Sequence, residues 1–226
     1  MIQMDRTTNQ YRKDIQGLRG VSVLMVFLYH FNIGFDNGYL GVDVFFVISG
    51  YVITKSLINT PKNFDGLISF YIRRVKRLLP SLLIVLIFTT ALATLFIPPK
   101  YLYEIMEIGQ YSIFGLSNWI LISNSIDYFA LTGSENIYTH TWSLAVEDQF
   151  YFLIAPILIF IVNKNIKNFF LISIFVLSIF FYFFEKNELI NFYGTHTRIW
   201  EILAGCLIAI NEKKLNYLKN NYFFFL

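Results

Sequence analysis

The sequence predicts an all-α membrane protein, a polytopic bundle of transmembrane helices, and three observations carry that expectation. Hydrophobic residues make up 56% of the 226 positions and charged residues only 15%, with 25 Phe and a mean hydropathy of +0.54, well outside the range of an ordinary soluble domain. The apolar residues gather into seven runs, several near the short end of the spanning range of roughly 17–25 residues. Arg19, His30, Asp43, Arg198 and Glu201 stand inside or at the edge of those runs, where an ionisable side chain usually faces a bundle interior and seldom lipid.

Composition also excludes function classes. Cys206 is the single cysteine and the three histidines show no ligand spacing, so neither an internal disulfide nor a metal site is expected. The net charge of +3 is small and unevenly placed, which carries orientation information rather than a nucleic-acid signal. The expected partner is the bilayer. No small-residue cleavage site closes the first apolar run, so that span is expected to stay in the mature chain.

In chain order the runs are 20–35, 37–54 with Asp43 inside it, 78–99, 108–126, 149–163, 168–184 and 197–211. Arg6, Arg12 and Lys13 precede the first run. A loop over 55–80 carries Lys55, Lys62, Arg73, Arg74, Lys76 and Arg77. The positive-inside rule therefore puts the N-terminus and the 55–80 loop in the cytoplasm. With all seven runs crossing, Lys164 and Lys167, and then Lys213, Lys214 and Lys219, fall outside. A re-entrant 108–126 returns them to the cytoplasm, and both topologies stay open at this point. The last residues, 220–226, read as the opening of a further apolar run, so an incomplete bundle is expected.

Arg19 and His30 are eleven residues apart. At about 100° per residue they share one helix face, about 16 Å apart along the axis. A neutral imidazole could take the proton of an attacking hydroxyl, or it could simply bridge helices. Arg19 could bind an anionic group or snorkel to lipid phosphate. Asp43, in the stretch Gly38–Tyr51 with its closely spaced small residues, needs a cationic partner such as Arg19, His30 or an arginine of another span. Ser49 lies outside any nucleophile-elbow pattern and is not read as a nucleophile. Arg73, Arg74 and Arg77 read either as a topology determinant or as guanidinium forks for phosphate oxygens. Glu147 and Asp148 read first as acids at a helix N-terminus, with His140 beside them as part of a second polar site. Arg198 and Glu201, at i and i+3, could neutralise each other or hold Asp43 or a substrate.

Five stretches together resemble the acyltransferase-3 family of bacterial membrane O-acyltransferases. They are Arg19-x10-His30 within the opening Tyr11-Arg-Lys-Asp-Ile-Gln-Gly-Leu-Arg19, then Gly41-Val-Asp-Val-Phe-Phe-Val-Ile-Ser-Gly50, and Arg73-Arg-Val-Lys-Arg-Leu-Leu-Pro80. His140-Thr-Trp-Ser-Leu-Ala-Val-Glu-Asp-Gln-Phe-Tyr151 and Thr197-Arg-Ile-Trp-Glu-Ile-Leu-Ala-Gly205 complete the set, in family order across nearly the whole chain. The resemblance implies transfer of an acyl group, usually acetyl, from cytoplasmic acetyl-CoA to a hydroxyl of an envelope or exported carbohydrate such as lipopolysaccharide O-antigen. It implies the bacterial inner membrane as location, with the N-terminus cytoplasmic. His30, Arg19 and Asp43 become the expected catalytic set. Arg73, Arg74, Arg77, Trp142, Glu147, Arg198 and Glu201 become the expected donor- and substrate-binding set.

Two departures accompany the resemblance. The family has about ten spans, and the opening motif resembles the subgroup that continues into a C-terminal SGNH hydrolase-like domain. Residues 1–226 are therefore expected to be the N-terminal part of the membrane domain, with a partner chain or a homo-oligomer as one way of supplying further spans. A non-catalytic remnant and a transporter of a small polar solute remain the competing functions.

Overall fold

The computed structural model describes residues 12–31, 33–34, 37–126 and 136–222, and the side chains of these apart from 104 and 213–222. Arg6, Tyr11 and Phe223–Leu226, all used in the sequence reading, lie outside the described residues. Those described form helices and turns: α1 (Lys13–His30), α2 (Leu40–Ile58), α3 (Phe64–Phe96), α4 (Pro99–Ile113), α5 (Ser117–Ser123), a 3-10 turn (Thr139–Thr141), α6 (Trp142–Phe160), α7 (Lys164–Phe184), α8 (Glu188–Tyr193) and α9 (Thr195–Tyr222). The expected all-α bundle is what forms. Four segments, Leu40–Ile58, Phe64–Phe96, Thr139–Phe160 and Lys164–Phe184, are long and apolar enough to cross a membrane. In such a solvent only an internally hydrogen-bonded helix satisfies the backbone.

Two boundaries correct the sequence reading. The stretch with Arg73, Arg74 and Arg77 is not a loop but the third and fourth turns of α3, a 33-residue helix capped by the Asn63 side chain accepting from Gly66 N at 2.8 Å. The run 108–126 is not one helix. It breaks at Gly115, whose φ of +66° ends α4 and turns the chain into α5. Gln149 of α6 fastens this turn, donating from Nε2 to Gly115 O at 2.7 Å and to Asn118 Oδ1 at 2.8 Å.

With α4 and α5 together making no crossing, the chain returns after α6 to the end it left before α3. Lys62, before α3, donates to Leu57 O at the C-terminus of α2, and Lys167 donates to Leu158 O near the C-terminus of α6. Cations favour such helix ends, where carbonyls lack intrahelical partners. Burial and the neighbouring Lys167 charge push the Lys62 amine below its ordinary value. Arg12, Lys55, Tyr51 and Glu212 gather at this end too, with Arg12 Nη1 3.4 Å from Glu212 and Lys55 paired to the same carboxylate. The conflict over Lys164 and Lys167 is thereby removed.

At the centre α2 and α9 run parallel in near backbone contact. A Cβ on Gly50 would lie 1.8 Å from Ile202 O, and one on Gly205 would lie 1.9 Å from Val47 O. On its other side α2 receives α1 at Gly41, where a Cβ would meet Ser22 O at 2.4 Å. Small residues permit such approach in lipid, where dispersion rather than water exclusion drives helix association. Around these contacts the core gathers Phe46, Ile53, Trp142, Phe150, Ile202 and Leu203. Tyr138 anchors the segment before α6 to α3, its hydroxyl donating to Leu86 O at 3.0 Å and meeting Thr89 and Thr90. Pro156 leaves the Phe152 carbonyl of α6 without its helical donor, and Tyr71 Oη of α3 donates to that oxygen at 3.1 Å.

Gly50→Val and Gly205→Val are each expected to destabilise the bundle by about 1–3 kcal/mol or more. Gly17→Ala, with nothing within 4 Å, should leave stability unchanged or slightly raised. Thermal unfolding in detergent checks all three.

Candidate active site within the bundle

Because α2 and α9 are parallel, the first turn of each lies at the same end, and that juxtaposition makes the first polar cluster. Arg198 Nη2 donates to Asp43 Oδ1 at 2.5 Å, and Arg198 Nη1 lies 3.1 Å from Glu201 Oε1. The partner that Asp43 requires is thus the arginine of the seventh apolar run, and Arg198 serves both acids at once. Arg198 is 8% exposed and Glu201 1%. The guanidinium also lies over Trp142 and Phe192, at 5.7 and 5.6 Å. Trp142 packs edge-on against Phe46 and Tyr193, so it supports Arg198 from within the core. Both Glu201 oxygens and Arg198 Nε lack a hydrogen-bond partner among the described residues. The cluster is held by charge more than by a complete hydrogen-bond set.

The second cluster lies deeper along α6. Glu147 is not the helix cap the sequence suggested. Helix α6 begins at Trp142, which places Glu147 beyond the first turn, where its side chain turns inward and is 6% exposed. Tyr151, one turn on, donates to Glu147 Oε2 at 2.7 Å, as i, i+4 spacing allows. Arg74 of α3 sits over the Tyr151 ring at 4.8 Å. Arg74 and Arg19 are the cations that act electrostatically on Glu147, and Ser49 of α2 lies beside it. Ser49 Oγ and Glu147 Oε1 nevertheless have no hydrogen-bond partner of good geometry. Arg19 is half-buried over the Phe45 ring at 5.1 Å, so it lies against α2 rather than reaching away from the bundle.

His30 is the last residue of α1, exposed, with Nδ1 2.8 Å from Val26 O. A carbonyl can only accept, so Nδ1 carries the proton and the lone pair is on Nε2. His30 also lies close enough to His140 for the two rings to interact electrostatically. Arg19 and His30 share α1 as expected, but Arg19 acts on the Glu147 cluster while His30, at the end of the helix, lies near His140.

Between α3, α6 and the α4–α5 turn is a cavity of about 360 Å³. Arg74, Tyr151 and Asp148 supply its polar wall, and Leu78, Leu82, Phe114 and Phe152 much of the apolar one. A second, more open one of about 580 Å³ adjoins it through Phe114, Gly115, Asp148 and Phe152. Of the three clustered arginines only Arg74 lines this space; Arg73, donating to Ser69 Oγ at 3.1 Å, and Arg77 are exposed. No group of three or more His, Cys, Asp or Glu among the described residues could hold a metal.

The sequence reading missed Tyr151 and underrated Ser49. The i, i+4 spacing of Glu147 and Tyr151 was a usable signal for the first. Nothing in the spacing announced that Ser49 would face Glu147 from another helix.

A family model of the acyltransferase domain matches residues 12–226. O-acetyltransferase OatA of Staphylococcus aureus is 36% identical over 211 residues, 88% of this chain and 34% of that protein. Peptidoglycan O-acetyltransferase OatA of Listeria monocytogenes is 34% identical over 221 residues, 91% of this chain and 35% of that protein. The chain therefore spans about a third of the length of the curated relatives it matches. No solved structure matches it.

Arg198→Ala strands the buried Glu201 carboxylate and the half-buried Asp43 one and is expected to cost about 3 kcal/mol. Asp43→Asn, which leaves Arg198 paired with Glu201, should cost distinctly less. Paired melting curves of the two variants in the same detergent check the order.

Proposed function

Since the chain belongs to the acyltransferase-3 family, we propose that it forms the membrane part of an O-acetyltransferase acting on the glycan of peptidoglycan. The name of the Listeria relative favours that acceptor over the lipopolysaccharide O-antigen suggested from sequence. The observation that carries the reading is the division of α1. Arg19 joins Arg74 around Glu147 within the bundle, while His30, its lone pair on Nε2, ends the same helix about 16 Å away. A donor and an acceptor could approach such a pair from opposite sides.

The donor in this reading is an acyl-CoA entering from the cytoplasm. Support comes from charge: Arg12, Lys55, Lys62 and Lys167 lie at the end opposite His30. The positive-inside rule assigns that end, with the N-terminus, to the cytoplasm, and in a bacterium the membrane is then the cytoplasmic one. Arg74 offers a guanidinium inside the cavity, and Arg73 and Arg77 two more on the exposed face of the same helix, suited to phosphate oxygens. The site's chemistry fits an anionic thioester with a long uncharged arm.

In the transfer step the acceptor hydroxyl oxygen attacks the thioester carbonyl. A C–O bond forms, the C–S bond breaks, the hydroxyl proton passes to His30 Nε2, and the thiolate leaves with the CoA. The Val26 carbonyl holds the ring in the tautomer this requires. Asp43 acts at one remove, fixing Arg198 and through it the aromatic floor at Trp142.

His30→Ala is expected to lower O-acetylation of peptidoglycan by about 10²–10⁴-fold, with the amount of protein in the membrane unchanged. Ester-linked acetate released from purified peptidoglycan, read beside an immunoblot of membranes, is the test. Full acetylation by the variant would overturn the assignment, and a transporter would move solute without forming any ester.

A further inference from the structure

We propose that Glu147 and Tyr151 are positioning residues that hold the Arg74 guanidinium at the cavity wall, where it meets the anionic or polar part of the acyl donor. This rests on the donor reading above. The geometry runs outward in three steps. Glu147 is inside the bundle, and its Oε2 accepts from the Tyr151 hydroxyl at 2.7 Å. That bond fixes a ring which is itself 4% exposed. The face of the fixed ring carries Arg74 at 4.8 Å, and both Tyr151 and Arg74 line the cavity, whereas Glu147 does not.

Charge explains why a carboxylate is placed behind the wall. An arginine half-buried among Leu78, Leu82 and Phe152 would gain by withdrawing toward water. Glu147 supplies an opposing charge that keeps it inward without occupying the space in front of it. Asp148 is the competing partner. It stands on the cavity wall itself and feels the Arg74 charge. With Glu147 neutralised, Arg74 is expected to turn to Asp148, in the space a ligand anion would use. The phenol is needed because Glu147 Oε1 makes no hydrogen bond of its own; the ring transmits the position. Among the described residues the other two arginines of α3 have no carboxylate behind them. Arg73 leans on Ser69 within its own helix.

The test is equilibrium binding of acetyl-CoA to the full-length host protein in detergent, with acetyl transfer as a second readout. Glu147→Gln and Arg74→Ala are each expected to weaken binding about tenfold and to raise KM far more than they lower kcat. The double variant should bind no worse than Arg74→Ala alone, because Glu147 acts through Arg74. Glu147→Asp should recover most of the affinity, which loss of packing would not explain. Tyr151→Phe keeps the ring and cuts its tie to Glu147, so it reports the same coupling if Glu147→Gln fails to reach the membrane. Multiplying penalties in the double variant, or unchanged affinity in both Glu147→Gln and Tyr151→Phe, would overturn the proposal. If the unmutated protein binds no acetyl-CoA, the donor reading fails first and the positioning role falls with it.

Discussion

The near-contact of α2 with α9 governs what the rest of the bundle can be. Gly50 and Gly205 bring the two backbones so close that any Cβ there would overlap a carbonyl oxygen. Only at that separation can Asp43 and Arg198, each on the first turn of its helix, meet directly. In an apolar medium a lone charge on either would be very costly, and the pair exists because the helices are close. The dependence also runs the other way, since the ion pair fixes the axial register of two helices whose apolar faces alone would slide. The Cys206 thiol, 3.5 Å from Gly50 O, lies in the same seam.

From that register the remaining levels follow. Helix α6 packs on α2 with Trp142 against Phe46, which brings Glu147 alongside Ser49. Helix α3 runs opposite to α6, so that Arg74 arrives at Tyr151 while Leu86 arrives at Tyr138. Helix α1, laid on Gly41, carries Arg19 to one depth and His30 to another. Arg198 has Asp43, Glu201 and Trp142, and Arg74 has Glu147 and the Tyr151 ring, so these polar groups fall into levels rather than scattering along the helices.

Much of this was legible in the sequence, and the failures share one cause. Hydropathy runs showed the helical bundle, and the charges inside them marked Arg19, His30, Asp43, Arg198 and Glu201 as candidates. The same charges truncated the runs. The apolar run of α3 begins only at Leu78 because the charges of Arg73 to Arg77 interrupt it, and that of α6 only at Gln149 because Glu147 and Asp148 do. Hydropathy counts a buried charge against a helix even when its partner lies on another helix, as with Arg74 beside Glu147. Over 108–126, where a crossing and a re-entrant path were both open, continuous apolarity concealed the positive φ of Gly115. Pairings across helices, Asp43 with Arg198 or Ser49 with Glu147, depend on axial register, and one sequence holds no direct record of it.

The proline of α6 gives the bundle a seam of a different kind. Without an N–H on Pro156, the Phe152 carbonyl is held by a phenol of another helix, and Tyr71, Phe152 and Pro156 all border one or other of the two cavities. The lower half of α6 is thus joined to α3 by an adjustable bolt instead of a rung of its own ladder. Because Ile154, Ala155, Leu158 and Ile159 bury the half-helix below Phe152 in the core, that bolt meets the spare carbonyl where the core packing gives way to the cavity wall.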